Sequence, residues 1–132
     1  AQEEDRISIA AVYVEMKGFD INTDRWYCDW FAYSKDGGAR DYDWLSSWDS
    51  EDFPSYTIRG LEPLQDVFTR YGSMREFRDA QSITSLLVVL KFQQFMKMAS
   101  KHVDRIAFPV YATAHEFDLI LRIDPDRRRA NL

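Results

Sequence analysis

The chain has 132 residues, which makes one domain with a single core, able to bury roughly two-thirds of its unfolded surface without staples. Its formal net charge of −5, from 22 acidic and 17 basic residues, argues against the basic face of a nucleic-acid binder and favours a basic partner. One cysteine, Cys28, excludes an internal disulfide, and no apolar run approaches the roughly 20 residues of a membrane span.

The domain is expected to occupy residues 1–132, with charged tails at 1–6 and 126–132. Ile7 to Lys17 reads as a strand rich in β-branched and small apolar residues. Ile7, Ile9, Ala11 and Tyr13 share one face, and Ala10, Val12, Val14 and Met16 share the other. Both faces are apolar, so the strand is expected to be central and covered on both sides. Asp20-x-Asn22-x-Asp24 matches the opening of a calcium loop. Arg25, however, stands where the sharp turn needs glycine, and Phe31 stands at the twelfth position, so the stretch reads as an Asx-rich turn.

Trp26 to Ser34 reads as the partner strand of a hairpin, with Trp26, Cys28, Trp30 and Ala32 on one face and Tyr27, Asp29, Phe31 and Tyr33 on the other. Lys35-Asp36-Gly37-Gly38 then supplies turn chemistry. Asp41 to Pro54 is a dense acidic-aromatic segment, read as a short strand over Asp41–Leu45 and a loop from Ser46. Ser55 to Arg59 reads as a strand ended by Gly60.

Leu61 to Tyr71 is an amphipathic helix with Pro63 in its first turn, and Ser73 to Gln81 a charged, partly helical connection. Ser82 to Lys101 is the long helix. Val88, Val89, Phe92, Phe95, Met96, Ala99 and Val103 form one apolar stripe, while Ile83, Leu86, Leu87 and Leu90 form a second on the opposite side. Its N-terminal half is therefore expected to be covered all round, by the 61–71 helix or by another subunit. Arg105 to Asp124 reads mostly as strand, with a parity flip near His115-Glu116 that implies a hairpin or a bulge. A competing reading takes Thr113-x-x-Glu116 as a capping box that opens a short helix. Together the elements predict an α+β fold: an antiparallel sheet of four to six strands packed on one long helix and a short second helix.

No catalytic motif, metal-ligand spacing, glycine-rich phosphate loop or cofactor signature occurs. The sequence leans away from an enzyme. Three residue sets are candidates for function. Asp41, Tyr42, Asp43, Trp44, Trp48, Asp49, Glu51 and Asp52 combine rigid aromatic anchors with carboxylates that steer a basic protein partner. Trp30, Tyr33 and His115 would line an aromatic pocket between sheet and helix for a small ligand or an enzyme substrate. Ile83, Leu86, Leu87 and Leu90 would join two copies, so the chain is expected to be a monomer or a homodimer, with no nucleic-acid or membrane partner.

The aromatic hairpin Ile7–Ser34, followed by Ile58-Arg59-Gly60-Leu61-Glu62-Pro63-Leu64-Gln65, resembles small α+β immunity proteins that bacteria make against their own secreted toxins. The second stretch is similar to a strand-then-Gly-x-x-x-Leu-Gln junction found before a helix in some of those families. The resemblance implies a stoichiometric inhibitor that masks a basic toxin site with an acidic surface. A cytoplasmic location is the default expectation, replaced by a periplasmic or secreted one if a leader preceded Ala1.

Overall fold

In the computed structural model, residues 8–17, 25–49, 54–115 and 117–126 are described. The Asx-rich turn at 20–24, Glu51, Asp52 and Phe53, Glu116, and the tails at 1–6 and 127–132 lie outside these. The central strand is β1 (Ala11–Lys17), and it is apolar on both sides as its two-sided pattern predicts. It pairs antiparallel with β2 (Tyr27–Tyr33), Tyr13 lying opposite Phe31 and Glu15 opposite Asp29. The edge strand β3 (Ser55–Thr57) joins β2. Two helices follow, α1 (Glu62–Tyr71) and α2 (Arg75–Ser100), and the chain returns as β4 (Val110–Ala114) and β5 (Leu121–Ile123). The sheet order is β3-β2-β1-β4-β5.

This is an α+β fold with five strands and two helices, one of them long. The expected antiparallel sheet needs one correction, because β4 runs parallel to β1 while every other pair is antiparallel. The helical crossover between β3 and β4 brings the chain back to the end of the sheet where β1 begins, which gives a parallel strand. The expected strand at Asp41–Leu45 is instead a 3-10 turn, Asp43–Ser46, its entry set by Asp41 Oδ1 accepting from the Asp43 N–H at 2.9 Å. The long helix begins at Arg75 and absorbs the charged connection. Between β4 and β5, residues 115–120 are neither strand nor helix among those described.

Period-2 alternation sends the two side-chain sets of the sheet to different covers. Val12, Val14, Met16, Cys28, Ala112 and Ala114 meet the helices, where Val88, Val89 and Phe92 of α2 and Phe68 of α1 complete the main core. Phe68 sits edge-on to Trp26 at 5.3 Å and to Phe77 at 5.3 Å, tying α1 to both the sheet and α2. The junction before α1 is a local device. Gly60 takes a φ of 96°, Leu61 is buried, and Gln65 Oε1 accepts from the Trp26 N–H at 3.1 Å. Among the described residues, no α-helix covers the opposite face. There Ala11, Tyr13, Phe31, Tyr33 and Tyr111 are covered by Leu45, Tyr42, Trp44 and Ile120 from connecting segments.

A buried polar side chain of α2 crosses to the sheet. Gln93 of α2 is buried, and its Nε2 donates to the Ala112 carbonyl at 3.0 Å and to the Leu119 carbonyl at 2.7 Å. Thr113 Oγ1 donates to the same Leu119 carbonyl at 2.6 Å. These bonds hold residues 117–120 where the β4–β5 ladder has stopped, so the bend predicted from the parity flip is realised as a pinned irregular segment.

Two outcomes follow for stability. Phe92→Ala, which truncates a buried ring of the main core, lowers unfolding free energy by about 3–5 kcal/mol in urea denaturation. Gln93→Leu keeps the volume but removes both buried donors, and costs about 1–3 kcal/mol. It also raises amide exchange selectively in residues 117–121, whereas a uniform rise across the sheet would refute the pinning role.

Candidate functional site

The helix-free face of the sheet changes character rung by rung, and the register shows why. Phe31, Tyr13 and Tyr111 lie side by side across β2, β1 and β4, and the next inward-facing rung is Asp29, Glu15 and Thr113. The aromatic rung is roofed by the 34–49 segment. The polar rung is left open, and above it lies a cleft of about 700 Å³. Its aromatic wall is formed by Tyr13, Phe31, Tyr42 and Trp48, and its mouth by Asp43, His115 and Asp118. That volume lies within the range typical of ligand sites.

The roof is fixed by several local interactions. The Trp44 ring lies directly against Gly37, where any side chain would collide with it, and its Nε1 donates to the Gly38 carbonyl at 3.0 Å. The ring also packs edge-on against Tyr33 at 4.8 Å and Tyr111 at 5.2 Å. Tyr33 Oη donates to the Leu45 carbonyl at 2.6 Å, and Tyr111 Oη donates to Asp36 Oδ1 at 2.8 Å. Burial raises both phenol pKa values, with Glu15 and Asp49 adding to the rise at Tyr33 and Asp36 at Tyr111, so both remain hydrogen-bond donors. Asp49 accepts from the Ser34 N–H at 2.7 Å and from its hydroxyl at 2.9 Å. Those bonds hold the carboxyl below its ordinary pKa.

Glu15 and Asp29 are like charges placed opposite each other on neighbouring strands, a pairing that destabilises a sheet unless compensated. Three groups compensate it. Lys17 Nζ lies 3.0 Å from Asp29 Oδ2 and 3.7 Å from Glu15 Oε1. Tyr13 Oη donates to Glu15 Oε2 at 2.8 Å, and His115 Nδ1 stands 3.1 Å from Glu15 Oε1. Burial, reinforced by the Glu15 charge, pushes the Tyr13 phenol well above its usual pKa and keeps it protonated. For Lys17, burial acts to lower the pKa, but the Asp29 and Glu15 carboxylates outweigh it and hold the ammonium charged. The result is a polar floor of fixed geometry beneath an aromatic wall. Glu15, Asp29, Asp43 and Asp118 set four carboxylates against one lysine and one histidine around the cleft.

The residue sets expected from sequence are redistributed. Of the acidic-aromatic set, Trp44 is turned inward as roof, Tyr42, Asp43 and Trp48 line the cleft, and Asp41 and Asp49 hold turns. Trp48 is 47% exposed, with its ring 5.1 Å from that of Phe31. Trp30, Tyr33 and His115 do not form one pocket. Strand alternation puts Trp30 on the helix side, where it lines a separate apolar cavity of about 260 Å³ with Met96, Phe108 and Ile123, while Tyr33 lies beneath the roof on the opposite face. Only His115 of the three reaches the large cleft. Of the two covers expected for the N-terminal half of the long helix, the 61–71 helix does not supply one, since Ile83, Leu86, Leu87 and Leu90 are all exposed within the chain.

Glu15, Lys17, Asp29 and Asp118 were not singled out by sequence reasoning. The available signal was an acidic residue inside each of two largely apolar strands, Glu15 in AVYVEMK and Asp29 in YCDWFAY, each on the face that points away from the helices. Among the described residues, no three His, Cys, Asp or Glu side chains converge to hold a metal, and no helix is long and apolar enough to cross a membrane. Comparison with known proteins finds no matching family model, no matching curated protein and no matching solved structure.

Proposed function

We propose that this chain is a non-catalytic binding domain that takes a cationic side chain of a basic protein partner into the acidic-aromatic cleft, as an inhibitor or immunity protein would. The observation that carries this reading is the cleft itself, where an excess of carboxylates rims a wall made by Phe31 and Trp48. An arginine or lysine side chain matches both parts. Its aliphatic stem lies along the rings, its charge meets their electron-rich faces, and the carboxylates neutralise it. The net charge of −5 adds long-range attraction for a basic protein and makes the association salt-sensitive.

Compared with the reading from sequence, which put recognition on the acidic-aromatic segment itself, the proposed recognition surface is the open cleft beside the roof made by residues 34–49. Carboxylates such as Asp49, already committed to Ser34, serve the roof, whereas Asp43 and Asp118 at the mouth are placed to meet a partner.

The test uses arginine-rich and lysine-rich peptides, with glutamate-rich peptides as controls, followed by isothermal titration and tryptophan fluorescence. The basic peptides bind, more weakly as salt rises, and the Asp43→Lys/Asp118→Lys double variant lowers affinity by about tenfold or more. Trp48→Ala weakens binding by a comparable factor without loss of the folded circular dichroism signal. Unchanged affinity in the double variant would rule out the cleft as the recognition site.

A further inference from the structure

The outer face of α2 carries a stripe that no part of the fold uses. Ile83, Leu86, Leu87 and Leu90 follow helical i, i+3, i+4, i+7 spacing, and they stay 65%, 40%, 61% and 43% exposed. They point away from the sheet, because the buried face of the same helix is Ser85, Val88, Val89, Phe92 and Gln93. Single exposed leucines need no explanation, but four on one line with polar neighbours mark an interaction surface.

The charges on that line identify the partner. At 100° per residue, Glu76, Asp79, Gln94 and Lys97 fall in the same arc of about 100° as the four apolar residues, and all four are exposed. The stripe therefore runs from acidic, through apolar, to basic along the helix. If a second copy lies antiparallel with a two-fold axis between Leu86 and Leu87, one register satisfies every position together. Ile83 faces Leu90, Leu86 faces Leu87, Glu76 faces Lys97 and Asp79 faces Gln94, and each pair occurs twice by symmetry. A parallel pairing in the same register would instead set Glu76 against Glu76 and Lys97 against Lys97. We infer that the chain forms a two-fold homodimer through the antiparallel pairing of this α2 stripe. The clefts lie on the other side of each sheet from the helices, so both remain open in the dimer and the assembly is bivalent.

Sedimentation equilibrium and light scattering on the full chain, from about 1 µM to about 1 mM, test the inference directly. The mass is expected to rise with concentration from 15.6 kDa to twice that value. Leu87→Glu raises the dimer dissociation constant by about tenfold or more, and circular dichroism shows that the variant still folds. Glu76→Lys weakens the dimer by placing lysine against Lys97, and Glu76→Lys/Lys97→Glu restores it. A monomer at the highest concentration, or a Leu87→Glu dimer as tight as the parent, overturns the interface. A double charge variant no tighter than Glu76→Lys overturns the antiparallel register.

Discussion

The structure depends on a constraint carried by one strand. β1 is apolar on both of its faces and lies at the centre of the sheet, so both faces need a cover. The helices supply one, packing Val88, Val89 and Phe92 against Val12, Val14 and Met16. Among the described residues the second face has no α-helix to draw on, and its cover comes from connecting segments that bring large rings, Trp44 and Tyr42 above all. A segment of that kind roofs a limited area. It covers Tyr111 fully and most of Tyr13 and Phe31, and leaves the next rung open. The cleft is therefore the part of β1's outer face that the loop cover does not reach.

The open rung is also where the sequence places charge. Glu15 and Asp29 would be costly beneath a sealed roof, because two opposed carboxylates removed from water repel each other and lose their hydration. At the floor of a cleft they are held by Lys17, Tyr13 and His115, each within hydrogen-bonding or ion-pairing distance of one of them. In the proposed binding role, a cation would meet a floor that is already oriented and an aromatic wall that is already built. Preorganisation of this kind reduces the ordering cost that a flexible acidic loop would meet on binding.

α2 belongs to both sides of this design. Its inner face completes the main core, and Gln93 extends beyond the ladder to fix the segment that carries Phe117, Asp118 and Ile120 to the cleft. Its outer face, by contrast, is left apolar and exposed. An apolar line bordered by opposite charges at its two ends is self-complementary under two-fold symmetry, and the proposed pairing would use this outer surface while the cleft faces away from it.

Strand alternation was legible from the residues alone. Period 2 in AVYVEMK and YCDWFAY assigned each side chain to its face, and the structure keeps that assignment throughout. The helices, with Pro63 at the start of one and two apolar stripes along the other, were legible for the same reason, because local spacing determines which residues share a face. What the residues could not reveal was which face would find which cover. Trp30 and Tyr33 already fell on opposite faces by alternation, which is at odds with a shared pocket with His115, and only the position of the helices decided which side each would meet. The parallel course of β4, the packing of Trp44 against Tyr111, and the meeting of Glu15 with His115 all join residues far apart in the chain. Local sequence thus determined periodicity and element type. The cleft and the exposed stripe were decided by tertiary structure, because long-range packing selects which apolar faces are buried and which remain in water.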